Sequence, residues 1–430
     1  MNEKLKKILY IIGFLILSAL IAFLIYFLFF RDLVTEDPID LGEETEEPSK
    51  PGTSLPGSED GGQNIIDIGI DEENENNEDE DSESIPGGSS QETEYQAPSE
   101  IADGGKTITE IISFENSYNP TLSPGGDILS YNKETGEFSR LDIETGESII
   151  LDSISYKGAE NIEWSPDSTK VLAEFPDGSN VIYDFDKNRQ YVLPTNWYNF
   201  DFTKDSSGLI FLTESTDPNK RWLSTSNIDG SNYNPIENLG ENEKFVDVIY
   251  SPNDQYIALS RTGSPLGLWR QQVIPIGLND ENFKAIEIEG RNYHPLYTPD
   301  GTKMVYDCYN LDSNYKPILY VVDVSPSSVG LNHFSLNINT WVSKCTFNNS
   351  GTYLFCGVPR ELPEGSGLFE EFSKDTVDDI YVINILSGSS IKLAEPTIKI
   401  NIDSIFLSDD ESVLYYTDSS SGAIYSINLK

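Results

Sequence analysis

The chain has 430 residues and a formal net charge of −44, from 72 acidic against 28 basic side chains. A protein of this charge repels phosphate backbones, which excludes nucleic acid as a partner. Three cysteines are too few for a disulfide scaffold, and only two histidines are available for catalysis. Aromatic residues make up 11% of the sequence, which is typical of a protein built from many short strands.

The first predicted element is a membrane span. Basic residues precede an apolar run from Ile8 to Phe30, about 23 residues and roughly 35 Å as a helix, enough to cross a hydrocarbon core. A cleaved signal peptide would have a shorter apolar region and a small-residue cleavage site. We therefore expect an uncleaved, single-pass signal anchor at 8–30. The positive-inside rule places residues 1–7 in the cytoplasm and the rest of the chain outside it, at the cell membrane.

Residues 31–106 form an acidic segment punctuated by Pro and Gly, with few apolar side chains. Such a segment cannot bury enough surface to offset its ordering entropy, so we expect a disordered linker. Clustered carboxylates also suit calcium, which stays an alternative role here, although no EF-hand spacing is present.

Residues 107–430 repeat one local pattern, in which an apolar strand enters a tight polar turn and a second apolar strand leaves it. In Ser165–Ser168, the clearest case, Pro166 presets the backbone for the turn and Asp167 can bond its own main chain. Seven turns of this kind recur: Ser123–Gly126, Ser165–Ser168, Thr203–Ser206, Ser251–Asp254, Thr298–Gly301, Asn348–Gly351 and Ser408–Glu411.

A third and a fourth strand follow most of these hairpins, as at 180–185 and after the polar turn at 144–147. Four short strands per repeat, repeated four to eight times, indicate a β-propeller. The predicted fold is therefore all-β, a seven-bladed propeller over 107–430, with six or eight blades as alternatives. The chain ends in a third strand at 425–430, and we expect 107–112 to supply the missing fourth strand and close the ring.

The sequence from Trp164 to Asp167, followed by an apolar strand and then Val181–Asp184, resembles the WD40-like (PD40) repeat of TolB-type propellers. The same repeat occurs in the propellers of tricorn protease and of prolyl-oligopeptidase-class enzymes. TolB has an α/β domain before its propeller and the peptidases have a hydrolase domain, and neither is found in this sequence. The resemblance therefore implies a platform for binding a protein or ligand.

Sequence signatures of catalysis are missing. The chain has no G-x-S-x-G elbow, H-E-x-x-H helix or Gly-rich phosphate loop. A Ser-His-Asp triad would have to use His294 or His333, and both are more simply structural or surface histidines. We predict a protein that is not an enzyme and has no cofactor or metal, with glycan cleavage by paired carboxylates as the alternative.

Cys345 and Cys356 flank the turn Asn348–Gly351. If Phe347 lies opposite Leu354, the two cysteines face each other across the hairpin. An oxidising exterior would then favour a disulfide. The alternative is a pair of buried free thiols, and Cys308 has no predicted partner.

The predicted binding surface is the face opposite the seven turns. Connections between second and third strands reach this face, and two of them, 261–270 and 357–378, are long and contain apolar residues. Aromatic residues of the interblade loops would surround the central channel there, and packing between blades is the alternative for each of them. The candidates for partner binding are Leu266, Leu268, Trp269, Arg270, Arg360, Leu368, Phe369, Phe372, Tyr118, Trp197, Tyr198, Tyr293, His294 and Trp341.

The sequence as a whole predicts a membrane-tethered propeller outside the cytoplasm that binds an envelope protein or peptide in a prokaryote. The alternative function is binding or cleavage of an envelope glycan on the same face.

Overall fold

Each of the seven predicted turns joins the first two strands of a separate antiparallel sheet. The structure is a computed structural model that describes residues 97–430 apart from Glu115 and Asp280. The prediction of an all-β, seven-bladed propeller is confirmed. The predicted membrane span and the linker up to residue 96 lie outside the described residues. Within the described part, no helix is long and apolar enough to cross a membrane.

The strands are short, and the described part of the chain adds four short 3-10 helices. In chain order the strands are β1 Lys106–Thr107, β2 Glu110–Ser113, β3 Ser117–Leu122, β4 Ile128–Asn132, β5 Glu137–Leu141, β6 Ser148–Ile150, β7 Asn161–Trp164, β8 Lys170–Glu174, β9 Asn180–Asp184, β10 Arg189–Leu193, β11 Trp197–Phe202, β12 Gly208–Thr213, β13 Trp222–Asn227, β14 Asn234–Asn238, β15 Val246–Val248, β16 Ala258–Ser260, β17 Pro265–Leu266, β18 Arg270–Ile276, β19 Ile286–Ile288, β20 Arg291–Tyr297, β21 Lys303–Tyr309, β22 Ile318–Asp323, β23 Phe334–Ser335, β24 Cys345–Phe347, β25 Tyr353–Pro359, β26 Asp378–Asn384, β27 Ser390–Pro396, β28 Ile402–Leu407, β29 Val413–Asp418 and β30 Ile424–Asn428. The 3-10 helices are Pro218–Lys220, Gly240–Phe245, Val342–Lys344 and Glu370–Ser373.

The blades follow one another in chain order. Blades 1, 2, 3 and 5 are the sheets β3–β6, β7–β10, β11–β14 and β20–β23. Blade 4 is less regular. Its strands β15, β16 and β18 are neighbours in that order, and the two short strands β17 and β19 both pair with β18. Blade 6 is β24–β27, extended by β1, and blade 7 is β28–β30 with β2 as its outer strand.

Ring closure follows the prediction with one difference. Residues 107–112 do not form a single closing strand. Glu110–Ser113 pairs antiparallel with the last strand, Ile424–Asn428, and closes blade 7. Lys106–Thr107 instead pairs in parallel with β27 of blade 6. Isolated bridges from Ser99 and Ile101 show that contact with the propeller begins before residue 106.

The seven turns share a backbone geometry that explains their sequence. In every one, the fourth turn residue has a positive φ, between 56° and 87°. These residues are Gly126, Ser168, Ser206, Asp254, Gly301, Gly351 and Glu411. A left-handed residue after a tight turn matches the twist of a hairpin, and glycine takes this conformation at the lowest cost.

The hydrophobic core is divided among the junctions between blades. Seven clusters of buried residues are present, and each combines side chains of two successive blades. The cluster of Ile128 and Leu141 with Tyr415 and Ile424 joins blade 7 to blade 1. Burial of apolar surface therefore runs around the whole ring and stabilises its closure.

A disulfide joins Cys345 and Cys356, whose Cα atoms are 4.1 Å apart. The register of the hairpin is the one inferred from its turn, with Phe347 opposite Leu354. Cys308 is a buried free thiol.

Candidate partner-binding cleft on the loop face

The long connection of blade 6, residues 360–377, is held at its midpoint by a neighbouring loop. The amide of Gly365 donates to the carbonyl of Asn314 at 3.2 Å, and the amide of Gly367 donates to that of Tyr315 at 2.8 Å. Gly365 has a φ of 84°, which suits glycine. These bonds tie the connection to blade 5 and leave the segment that follows them free to project.

The projecting segment presents apolar side chains to solvent. Leu368, Phe369 and Phe372 are 46%, 54% and 51% exposed, and the two Phe rings are 5.5 Å apart. We call these three residues the apolar tip. Exposed apolar side chains grouped on one anchored loop are typical of an interaction site.

Two cavities adjoin the apolar tip, and together we call them the loop cleft. The first, the Lys344 cavity, has a volume of about 550 Å³, and the second, the His294 cavity, about 360 Å³. Trp341, Ser343 and Glu370 line both. The cleft therefore spans blades 5, 6 and 7, in the size range of ligand pockets.

A buried ion pair supports the Lys344 cavity. The Lys344 ammonium donates to Asp378 Oδ2 at 2.8 Å and to Asn401 Oδ1 at 2.9 Å. The lysine side chain is 8% exposed and the aspartate side chain is fully buried. Asp378 also accepts the amide of Ile402 at 2.8 Å, where blade 7 begins. This network joins the 3-10 helix Val342–Lys344, the end of the long connection and blade 7.

His294 and Asp307 form a second polar pair, at the His294 cavity. They lie opposite each other on β20 and β21, after an irregularity in register between Arg291 and His294. His294 Nδ1 is 2.9 Å from Asp307 Oδ1, while Asp307 Oδ2 accepts the amide of Val342 at 2.9 Å. An ionised Asp307 can only accept, so this hydrogen bond needs a proton on Nδ1 in both the neutral and the charged imidazole.

The surroundings of this pair favour a charged imidazole. The hydrogen bond to Asp307 raises the pKa of His294, against the lowering effect of burial, and the charges of Asp307, Glu370 and Asp247 raise it further. Burial also raises the pKa of Asp307, and its hydrogen bond to His294 offsets part of that effect.

Glu370 occupies the entrance to both cavities. It belongs to the 3-10 helix Glu370–Ser373, and it is exposed. Its carboxylate makes no ion pair with any described residue. The Glu370 carboxylate, which forms no ion pair with a described residue, therefore lies across the cleft from the imidazole of His294 and the buried indole of Trp341.

The structure brings together six of the residues chosen from the sequence: His294, Trp341, Leu368, Phe369 and Phe372 in or beside the loop cleft, and Tyr118 near it. The Lys133 ammonium lies over the Tyr118 ring, 3.2 Å from its centroid. Burial, and then the charge of Asp403, which lines the Lys344 cavity, raise the pKa of Tyr118.

Three other aromatic candidates lie elsewhere. Trp197 is buried and stacks on Phe211 at 3.8 Å between blades 2 and 3. Tyr293 is buried between blades 4 and 5. Tyr198 packs between blades 3 and 4, where burial raises its pKa to about 12. Interblade packing, the alternative considered for these residues, describes all three positions.

The shorter connection, 261–270, lies beside blade 5. Trp269 contacts the Tyr315 ring edge-on at 5.4 Å. Leu268 is strongly exposed and Leu266, in β17, partly buried. Both Arg candidates already have acidic partners: Arg270 pairs with Glu287, and Arg360 with Asp379 and Glu395.

Sequence reasoning missed Asp307, Lys344, Asp378 and Glu370. One signal could have found Asp307. The turn Thr298–Gly301 sets the register of its hairpin and places residue 307 opposite His294, just as the turn Asn348–Gly351 places Cys345 opposite Cys356. An acidic residue within the apolar strand Lys303–Tyr309 is a further sign of a buried polar pair.

Carboxylate pairing also occurs away from the cleft. Glu163 and Asp201, on the innermost strands of blades 2 and 3, are hydrogen-bonded to each other, and burial raises the pKa of both. Direct contact is closer than the separation of about 5 Å or more between the carboxyls of glycoside hydrolases. In residues 97–430, wherever described, no group of three or more His, Cys, Asp or Glu is placed to hold a metal ion.

Comparison with solved structures places the chain among β-propellers. It is similar to an oligogalacturonate lyase in complex with manganese, with 16% identity and a TM-score of 0.51 over 75% of this chain and 93% of the lyase. It is also similar to the β-propeller domain of Cps50 (Swd1) from Myceliophteria thermophila, with 13% identity and a TM-score of 0.50 over 75% of this chain and all of that domain. No family model and no curated protein matches the sequence. At these identities the similarity establishes the fold alone.

Proposed function

We propose that this chain is a membrane-tethered, extracytoplasmic propeller of the WD40-like (PD40) type that binds a protein or peptide of the prokaryotic cell envelope without catalysing a reaction. The observation that carries the proposal is the apolar tip, anchored by main-chain bonds at Gly365 and Gly367 beside the loop cleft. Recognition residues are commonly presented in this way, on loops that a rigid scaffold positions.

Two further observations support the cellular setting. The apolar run Ile8–Phe30 after basic residues is typical of a signal anchor. The disulfide Cys345–Cys356 fits an oxidising compartment. A tethered binder also gains from a high effective concentration near the membrane.

The proposal is tested by site-specific photo-crosslinking in intact cells. Benzoylphenylalanine replaces Phe369 in one variant and Val192, an exposed residue on the outer strand of blade 2, in a matched control. We expect a discrete crosslinked protein from position 369 and none from position 192. Equal products from both positions, or none from position 369, would contradict binding at the apolar tip.

Glycan cleavage is a second candidate, favoured by the pairing of His294 with Asp307 at a cavity. An imidazole positioned by a carboxylate is suited to general base chemistry, and one structure similar in fold is named a lyase. The measurement is release of sugars from isolated envelope glycan, or of unsaturated products from oligogalacturonate, by the full-length chain. Release that disappears in His294→Gln would favour this candidate over a binding module.

A further inference from the structure

We infer that the His294 cavity recognises a basic side chain, Lys or Arg, of the bound protein or peptide. This inference rests on the proposed function and specifies its ligand chemistry. It starts from the volume of the cavity, about 360 Å³, which accommodates one long side chain together with part of its neighbours. The cavity opens beside the apolar tip, since Glu370 directly follows Phe369.

The charges that face the cavity favour a cation. Glu370 lines it without an ion-pair partner among the described residues. Asp307 lies behind the imidazole, and Asp247 on β15 also acts on His294, with Arg261 as its own partner at 3.1 Å. His294 is the only basic side chain among the residues that line this cavity. When the imidazole is neutral, the carboxylates are left in excess.

The cavity also offers the chemistry that a basic side chain needs. Glu370 can accept charge-assisted hydrogen bonds from a guanidinium or an ammonium. Trp341 supplies an aromatic surface, and the Lys344 ammonium already lies 5.8 Å from its ring. Ser343 adds a hydroxyl acceptor at the rim. A charge-neutral apolar side chain would leave Glu370 without a partner.

Competition between the ligand and a proton follows from the same geometry. A protonated His294 places a positive charge in the cavity and opposes a second cation. Binding should therefore strengthen as the pH rises through the pKa of His294, which its bond to Asp307 raises above the ordinary value of about 6.5. The groups that set this pKa are Asp307 on β21, Glu370 on the long connection and Asp247 on β15.

The test begins with a phage-displayed library of random peptides selected on the purified full-length chain. The expected result is enrichment of apolar residues together with one Lys or Arg. An enriched peptide is then synthesised with Arg and with its neutral analogue citrulline, and the affinities are measured by calorimetry. The Arg peptide should bind about tenfold more tightly.

Three variants test whether the preference for Arg and its dependence on pH arise in the His294 cavity. Glu370→Gln should remove the preference for Arg over citrulline. Glu371→Gln is the matched control, because Glu371 lies on the same 3-10 helix and lines the Lys344 cavity but not the His294 cavity. His294→Gln should abolish the dependence of binding on pH between about 6 and 8.

The outcomes separate this inference from the proposed function. Enrichment without a basic residue, or an Arg preference that persists in Glu370→Gln, overturns the inference and leaves peptide binding standing. Failure to enrich any peptide contradicts peptide binding itself and the inference with it.

Discussion

The face of the propeller that carries the seven turns, the turn face, differs from the opposite face, the loop face, which carries the connections 261–270 and 360–377. The difference lies in how the polar groups of each face are bonded. On the turn face, the side chain of the first turn residue bonds a main-chain amide beyond the turn and, in every turn except the one at Ser123, the side chain of the third residue. Ser165 donates to Asp167 at 2.6 Å and accepts from the Lys170 amide at 3.0 Å. Turns of successive blades also bond each other, as when the Asp167 amide donates to Ser206 Oγ at 3.0 Å. On the loop face, the Glu370 carboxylate forms no ion pair with a described residue, and the side chains of the apolar tip are exposed to solvent.

This difference separates structural repetition from recognition. A turn whose polar groups are satisfied within it or by the neighbouring turn can be repeated in every blade, because its partners belong to the repeated turns themselves. A loop that presents exposed aromatic rings keeps apolar surface in contact with water, and such surface is typical of a site that a partner covers. The following predictions test the comparison, in order of decreasing expected effect.

Removing the buried cation of the loop face should have the largest effect. Lys344→Ala leaves Asp378 buried without its ion-pair partner, and we expect a loss of about 3–5 kcal/mol in the free energy of unfolding. Chemical denaturation measures this loss. Lys374→Ala is the control, since Lys374 is exposed and lines the same cavity, and it should change stability little. Equal losses in both variants would contradict the role given to the pair.

The same substitution on the two faces should have unequal costs. Gly301 and Gly365 both have a positive φ. A Cβ at Gly301 would lie 2.6 Å from the side chain of Asn253, whereas one at Gly365 would meet nothing within 4 Å. Gly301→Ala should therefore cost about 2–4 kcal/mol and Gly365→Ala about 1 kcal/mol. Similar thermal shifts for the two variants would show that the turns are not tightly packed.

Loss of the disulfide should destabilise blade 6 to an intermediate extent. Joining residues 345 and 356 restricts the unfolded chain, so Cys345→Ala with Cys356→Ala should lower stability by about 2–3 kcal/mol. Denaturation of the natural sequence with and without reductant provides the comparison. If reductant destabilises the double variant as strongly as the natural sequence, the disulfide is not the cause.

A carboxylate of the turn face should make the stability of the fold depend on pH in the acid range. On the turn face, hydrogen bonds from Ser412 and Ser408 lower the pKa of Asp410 to about 2. A lowered pKa stabilises the fold above the ordinary Asp value of about 3.9, and that contribution is lost as the pH falls towards 2. The free energy of unfolding should therefore fall less steeply in Asp410→Asn than in the natural sequence as the pH is lowered from about 4 towards 2. An unchanged acid transition would argue against this turn as a contributor.

The smallest effect on stability is expected at the apolar tip. Phe369→Ser removes an exposed ring, so the free energy of unfolding should change by no more than about 0.5 kcal/mol. Partner capture by the same variant should be lost. A large loss of stability would instead mean that the tip is part of the fold.

Much of the fold could be predicted because its signals are local. The seven turns follow from residues adjacent in sequence, and their spacing indicates the blade number. Hairpin register follows from the turn, which is why the cysteine pair could be anticipated and why His294 and Asp307 could have been. The split of residues 107–112 between two blades could not, because both blades present a free strand edge there and only their packing decides.

The candidate cleft could be predicted only in part. The sequence identified the long connection of blade 6 and its apolar residues, because such residues are unusual in a long polar loop. It could not separate Trp341, which lines the cleft, from Trp197, which packs between blades 2 and 3, since both are tryptophans at the start of a blade and both are buried. The neighbouring blades and loops decide which of the two rings borders a cavity.

The sequence by itself determined the repeat and the turn geometry, because each depends on interactions within a few residues, and it favoured seven blades over six or eight. Tertiary structure alone decided that Lys344 meets Asp378 and that Glu370 faces His294. Those contacts join separate blades and loops, so they depend on how the ring closes and on where one long connection is anchored.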